Sequence, residues 1–287
     1  MSAVLHISDP HFGTEQPQVV EALVALAVRE RPDLVVLSGD ITQRARPEQF
    51  RAARAFTDRL GAPLLAIPGN HDIALFNLWE RLVRPYASYA EVFGADLQPV
   101  HTSPQLLVLG VNTTRAWRHK NGEVSAAQVR RVAQLLAAAT PQQLRVVVVH
   151  QPAAVPRPAD RADLLRGHRA AVQAWAAAGA DLVMGGHIHL SFTQEMPGER
   201  RRLWVVQAGT AVSSRIRPGA PNSVNIVRWG EVPDAGSAHQ QPHPQPQPQL
   251  QTAGTAAPEC HIERWDFVQH DQVFVRSAVT SVQPERG

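Results

Sequence analysis

Five short polar motifs carry residue types able to do chemistry together: Asp9-Pro10-His11, Gly39-Asp40, Gly69-Asn70-His71-Asp72, His150 and Gly186-His187-Ile188-His189. Carboxylate, carboxamide and imidazole donors in this mixture suit borderline divalent cations such as Mn, Fe or Zn, and neither a thiolate site nor an all-oxygen calcium cage. Seven candidate ligands among them, with one carboxylate shared, match the number expected for two metal ions a few ångströms apart. Taken singly, each motif also reads as a polar turn or a helix cap. Their order and placement are what give them meaning.

Each motif follows a short apolar run of the kind that forms strands buried on both faces: Val4 to Ile7, Leu34 to Leu37, Leu64 to Ile67, Val146 to Val149 and Leu182 to Met184, with a further run at Leu106 to Leu109. In an open α/β sheet the carboxyl ends of such strands converge on a crevice. Helical spacing over Val19 to Arg29, Pro47 to Leu60, Ser125 to Ala139 and Arg161 to Ala178 supplies the alternating helices, with Pro47 suited to a first turn and Gly61 and Gly179 to positions just after a helix end. The alternation predicts an α/β layered fold with at least part of its sheet parallel. After His189 the pieces Leu203 to Gln207, Val224 to Trp229, Ile262 to Val268 and Val273 to Val275 predict a second, more antiparallel sheet.

The stretch from 231 to 258 differs in kind, with Gln and Pro alternating through Gln241 to Gln247. It reads as a disordered or polyproline-like insertion in a hairpin loop of a single domain spanning residues 1–287. His239 and His243 inside it read as polar filler.

The five motifs, over about residues 3 to 210, resemble the calcineurin-like metallophosphoesterase family, whose pattern is Asp-x-His, Gly-Asp, Gly-Asn-His-Asp/Glu, His, Gly-His-x-His; within it the chain is most similar to the bacterial branch containing class III cyclic-nucleotide phosphodiesterases. The resemblance implies a four-layer αββα sandwich (α/β, α+β layered) with mixed sheets and two divalent metal ions. It assigns Asp9, His11, Asp40 and His189 to one metal, and Asp40 as bridge with Asn70, His150 and His187 to the other. It assigns His71 as the catalytic residue, facing the substrate phosphate without holding metal. Two cations would neutralise phosphate oxygens and lower the pKa of an attacking water, while His71 would stabilise charge or protonate the leaving group. The expected activity is hydrolysis of phosphodiesters, with 3′,5′-cyclic nucleotides among the candidates. A phosphomonoesterase, a lipid or glycerol phosphodiesterase, or a non-catalytic phosphate-binding scaffold stand as alternatives. One departure stands out. Many relatives carry an Asp three residues after the Gly-Asp to pair with the catalytic histidine, whereas this chain has Gln43 there. Either another carboxylate, for which Asp72 is the candidate, takes that part, or His71 works with a lower pKa.

Bulk properties agree. In 287 residues, 44% are hydrophobic and 18% charged, and no apolar run approaches the roughly 18 residues of a membrane span. The N-terminal sequence does not resemble a secretory leader, and a single cysteine fits a reducing compartment, so a cytoplasmic location is expected. The pI of about 9.7 invites a nucleic-acid partner, but the net charge is only +3 and the cations are dispersed, apart from Arg200-Arg201-Arg202, which reads as a charged hairpin loop. The expected partner is a small-molecule phosphoester, with homodimer formation left open. His6, His101, His119, His168, His261 and His270 receive no role. Trp79, Tyr86, Tyr89 and Phe93 either wall a pocket or pack as helices, and the turn Gly209 to Arg215 either places an arginine near phosphate or merely connects strands.

Overall fold

The computed structural model describes residues 1–74, 78–118, 120–196, 201–230 and 258–285. The Gln/Pro tract through residue 257, with His239 and His243, lies outside them, as does His119.

The apolar runs become two six-stranded sheets. In the first, β1 (Ser2–Ile7), β2 (Leu34–Leu37) and β3 (Leu64–Ala66) run parallel, and β10 (Ser223–Gly230), β11 (Glu259–Val268) and β12 (Val273–Val282) extend the open edge of β1 antiparallel. In the second, β5 (Leu106–Gly110), β6 (Leu144–Val148), β7 (Leu182–Gly185) and β9 (Leu203–Gln207) run parallel, flanked by antiparallel β4 (Val100–Thr102) and β8 (Phe192–Met196).

Alternation along each strand builds the layers, because successive side chains leave opposite faces. Val4, Leu34, Val36 and Leu65 point inward and pack against Val108, Val146, Val148, Leu182, Met184 and Val206 of the other sheet. Their neighbours Leu5, Ile7, Val35 and Leu37 point outward onto α1 (Pro17–Glu30), α2 (Pro47–Asp58) and α4 (Ala87–Phe93), through Leu23, Leu26, Phe50 and Tyr89. On the far side Leu109, Val147, Val183 and Val205 meet Val132 and Leu136 of α5 (Ala126–Ala137) and Val172 and Trp175 of α6 (His168–Ala177). Helix, sheet, sheet, helix is the four-layer order, and burial on both faces is why the strands read as unbroken apolar runs. A short α3 (Leu78–Val83) precedes α4. Among the described residues no helix is long and apolar enough to cross a membrane.

Two expectations need correction. The late strands form no sheet of their own: β9, apolar on both faces, sits beside β7, and β10 to β12 continue the first sheet. The helix expected over Arg161 to Ala178 is broken. Pro158–Asp163 is a 3₁₀ turn, and α6 starts only after Gly167, which holds φ +86°. Backbone pairing of 164–166 causes the break: Leu165 N–H donates to Pro152 O (2.9 Å), Arg166 N–H to Gly122 O (3.1 Å), and Arg166 O accepts from Val124 (3.0 Å).

Candidate metal and phosphate site

Asp9 follows β1, Asp40 follows β2, Asn70 follows β3, His150 follows β6 and His187 follows β7, so both sheets deliver polar residues to one end of the sandwich. The backbone there is bent hard. Of eight non-glycine residues with positive φ among the described residues, five are Asp9, His11, Asp40, His187 and His189, at φ 43° to 74°. Such conformations cost of order 1–3 kcal/mol each and persist only where surroundings impose them. Here the hydrogen bonds from Asp9 N–H to Gly39 O (3.1 Å), His11 N–H to Asp40 O (3.1 Å) and His187 N–H to Asp9 Oδ2 (2.8 Å) do so. Gly186 allows the closest approach, since a Cβ there would overlap the Ser8 hydroxyl and the Asp9 carboxylate.

Three groups of donor atoms result, each within 4.8 Å: Asp9 with His11 and His189, Asp40 with His150 and His187, and His11 with Asp40 and His71. Asp40 turns Oδ1 to His150 Nε2 at 3.2 Å and Oδ2 toward His11 Nε2 at 3.8 Å. Asn70 Oδ1 lies 3.2 Å from the same His150 nitrogen, and His11 Nε2 faces His189 Nε2 at 3.1 Å. The His150 and His189 rings are oriented from behind, through Nδ1, by Ser38 O (2.8 Å) and Arg215 O (2.6 Å). Both ring nitrogens of His187 are buried without a hydrogen-bond partner, and the buried Asp9 Oδ1 faces His189 Nε2 at 3.3 Å. Buried orphan atoms and facing imidazole nitrogens call for a cation between them, and the donor set fits a divalent ion of the Mn, Fe or Zn kind.

The electrostatics point the same way. Burial alone would raise the Asp40 carboxyl, but His150, His71 and His11 hold it well below the usual range, and His189 does the same for Asp9. Burial pushes His11 down to about 3 despite Asp40 and Asp9. For His150 burial is outweighed by Asp40, as charge and hydrogen-bond partner, which pulls the ring up to about 9. The centre thus holds ionised carboxylates that attract positive charge.

The donors open into a cavity of about 550 Å³ whose lining includes Gln43, Arg44, His71, Lys120, Asp163, Arg215 and Arg217. His71 sits at its floor with Nδ1 3.0 Å from Gln43 O and Nε2 3.4 Å from Arg215 Nη1. Arg215 is tethered by Gln43 Oε1 (2.8 Å), so the turn after Gly209 does bring an arginine to the site. Asp72 does not serve His71. Its carboxylate accepts the N–H groups of Gly69, Ile41 and Thr42 and the Thr42 hydroxyl, tying the loop after β2 to the loop after β3. Burial, then the charge of Asp40, raises Asp72 to about 6 against those bonds. Tyr89 and Phe93 pack on Phe50, the Tyr86 hydroxyl pairs with Thr114, and Trp79 is 75% exposed, so that cluster packs helices and does not wall the cavity. His6 is a core residue bonded to Ser38 and Asn225. Lys120, Asp160, Asp163 and Arg217 line the cavity without having been singled out from the sequence.

The family model for calcineurin-like phosphoesterases matches residues 2–191, two thirds of the chain. The chain belongs to this family. Phosphodiesterases are among its relatives. It is 45% identical over 80 residues to a glycerophosphodiester phosphodiesterase from Enterobacter lignolyticus, across 23% of this chain and 28% of that protein. It is 27% identical over 208 residues to a cAMP/cGMP dual specificity phosphodiesterase from Mycobacterium tuberculosis, across 66% of this chain and 62% of that protein. The matches thus span less than two thirds of either relative. In fold the chain is similar to a dimetal phosphatase from Danio rerio (TM-score 0.63, 12% identity, 99% of each chain). It is also similar to a purple acid phosphatase from yellow lupin (Lupinus luteus) seeds, with a TM-score of 0.61 and 12% identity over 98% of this chain and 53% of the other.

Proposed function

We propose that this phosphoesterase hydrolyses small phosphodiesters at a two-metal centre. Asp9, His11, Asp40 and His189 hold one ion, and Asp40, Asn70, His150 and His187 hold the second. The observation that carries the reading is Asp40, whose two oxygens face histidines of different donor groups. When bound, two divalent ions neutralise phosphate oxygens and make water acidic enough to attack near neutral pH. The protein's own part is positioning and proton transfer. Arg215, beside His71, holds a non-bridging phosphate oxygen. His71, with its Nδ1–H committed to Gln43 O, presents Nε2 to the leaving alcohol oxygen and, as the imidazolium, gives that oxygen the Nε2 proton as the P–O bond breaks, water having supplied the new bond to phosphorus.

The alcohol is recognised loosely. Among the described residues only Ile73 and Ile188 give the cavity apolar lining, and no Phe, Tyr or Trp side chain lines it. Apolar contacts of this extent separate related substrates by about 10 to 200-fold. Glycerophosphodiesters and cyclic nucleotides, the substrates named in two of the relatives, are both within reach.

The test is a panel assayed with Mn²⁺: bis-p-nitrophenyl phosphate, cyclic nucleotides, glycerophosphodiesters and nucleotide monophosphates, compared by kcat/KM. Ready hydrolysis of the chromogenic diester and modest adenine-to-guanine discrimination are expected. Turnover of monoesters alone would refute the diesterase reading.

A further inference from the structure

We infer that Asp163 is a positioning residue for the second metal site, acting through His187 and held in place by Lys120. The inference rests on the two-metal reading.

Three ring orientations frame the argument. A metal-binding imidazole uses one nitrogen for the ion and gives the other N–H to an acceptor that fixes its tautomer and angle. His150 and His189 have such acceptors in the carbonyls of Ser38 and Arg215. His187 has both ring nitrogens buried and without a hydrogen-bond partner, in a side chain only 4% exposed. The group facing it is the Asp163 carboxylate, with Oδ1 3.8 Å from His187 Nε2. A shift of about 1 Å makes this contact a charge-assisted hydrogen bond. Nδ1 is then the atom left for the ion shared with Asp40 and His150.

Asp163 is not there by accident of a loose loop. It ends the 3₁₀ turn Pro158–Asp163, and that segment is laced to the loop after β5. Asn121 Nδ2 donates to Ala162 O (3.2 Å), Gln151 Nε2 to Lys120 O (3.3 Å), and residues 122–124 pair with Arg166. Lys120 Nζ, in the same loop, reaches Asp163 Oδ1 at 2.6 Å. The chain Lys120, Asp163, His187 therefore runs from the cavity rim to the metal centre. A carboxylate behind the imidazole raises its basicity as a ligand, while Lys120 offsets the carboxylate charge at the rim.

The experiment reads metal, not turnover. Apo wild type, Asp163→Ala, Asp163→Asn and Lys120→Ala are titrated with Mn²⁺ against a competing chelator, and the melting of each apo form is recorded. Asp163→Ala should keep the first ion within about threefold of wild type and bind the second 10 to 100-fold more weakly, the usual effect of removing such a partner. Asp163→Asn, which keeps an acceptor oxygen without its charge, should fall between the two and serves as the measure if the alanine variant melts early. Lys120→Ala should weaken the second ion by less than about 10-fold. Wild-type affinity in both Asp163 variants overturns the inference, as does equal weakening of both ions. A wild type that binds no second ion would instead refute the two-metal reading.

Discussion

The imidazole of His71 rests on the backbone carbonyl of Gln43, 3.0 Å from Nδ1, while the Gln43 side chain is turned to Arg215. Where many relatives are expected to use a carboxylate side chain, this protein uses the peptide group of the same stretch, and that cannot be removed by substitution. Gln43→Ala should therefore leave His71 oriented but free Arg215. The expected result is a KM for bis-p-nitrophenyl phosphate raised about 3 to 10-fold with kcat within about threefold, by steady-state kinetics. If turnover instead fell by about two orders of magnitude, the scale of lost acid–base assistance, the glutamine side chain itself would be what supports His71.

His71 also lies within reach of His11 and Asp40, so its role must be separated from metal binding. Replacing it with alanine should leave metal content at the wild-type level while kcat drops by on the order of 10²-fold or more, as expected when a general acid is removed. Elemental analysis beside the kinetics decides the matter: parallel loss of metal would make His71 a ligand.

How far could this site be read from sequence? Leu34–Leu37 emerged with the expected bounds because a strand buried on both faces leaves an unbroken apolar run, and Asp40 and Asn70 were legible because polar residues follow such runs abruptly. Asp163 was hidden. Its segment has helical spacing, and only long-range pairing with residues 121–124 pulls it out of a helix and toward His187. Arg215 was visible only as one of two equal readings, since nothing local shows that the turn after Gly209 folds back on Gln43. The sheet partition was equally illegible: β9 and β10 both read as strands, and which open edge each joins is fixed by sandwich geometry. The left-handed backbone at Asp9, His11, Asp40, His187 and His189 could not be foreseen either, because glycine, the usual signal for it, is absent from those positions.

Asp40 should be the one residue whose loss affects both ions. Its Oδ1 approaches His150 and its Oδ2 approaches His11, whereas Asp9 belongs to a single donor group. After reconstitution with Mn²⁺ the wild type is expected to hold about two ions per chain. Asp40→Ala should weaken both by at least about 10-fold, and Asp9→Ala chiefly one. Retention of one tight ion in Asp40→Ala would rule out the bridge.

Stability should carry an acid-side signature from Glu263, far from the cavity. Its side chain is 4% exposed and accepts from Trp265 Nε1 (3.0 Å), Arg228 Nε (3.2 Å) and Arg276 Nη1 (3.0 Å). Burial alone would raise its pKa, but the Trp265 hydrogen bond and the two arginines more than offset this and lower it. A carboxyl lowered in the folded state stabilises fully above its ordinary value of 4.5 and loses that contribution as pH falls through the folded value. Glu263→Gln should thus be less stable than wild type at pH 7 by about 1–3 kcal/mol, the range for hydrogen bonds to a charged group. The gap in Tm should shrink as pH is lowered from 6 to below 4. A pH-independent gap would show that packing, not charge, is what the substitution disturbs.

The last prediction concerns the Gln/Pro tract. Gly230 pairs directly with Glu259, so the chain leaving β10 and the chain entering β11 are neighbours in an antiparallel ladder and a short turn can join them. A segment of this composition has little apolar area to bury and should be dispensable for folding. Deleting Ala235 to Ala256 and closing with a few Gly/Ser residues shortens the connection about threefold, which favours loop closure by about 1 kcal/mol. The expected outcome is a Tm equal to or a few degrees above that of the full chain, with kcat/KM for bis-p-nitrophenyl phosphate unchanged within about twofold. A loss of turnover with Tm preserved would give the tract a part in the active site, and a loss of both would mean that residues 235–256 contribute contacts to the fold.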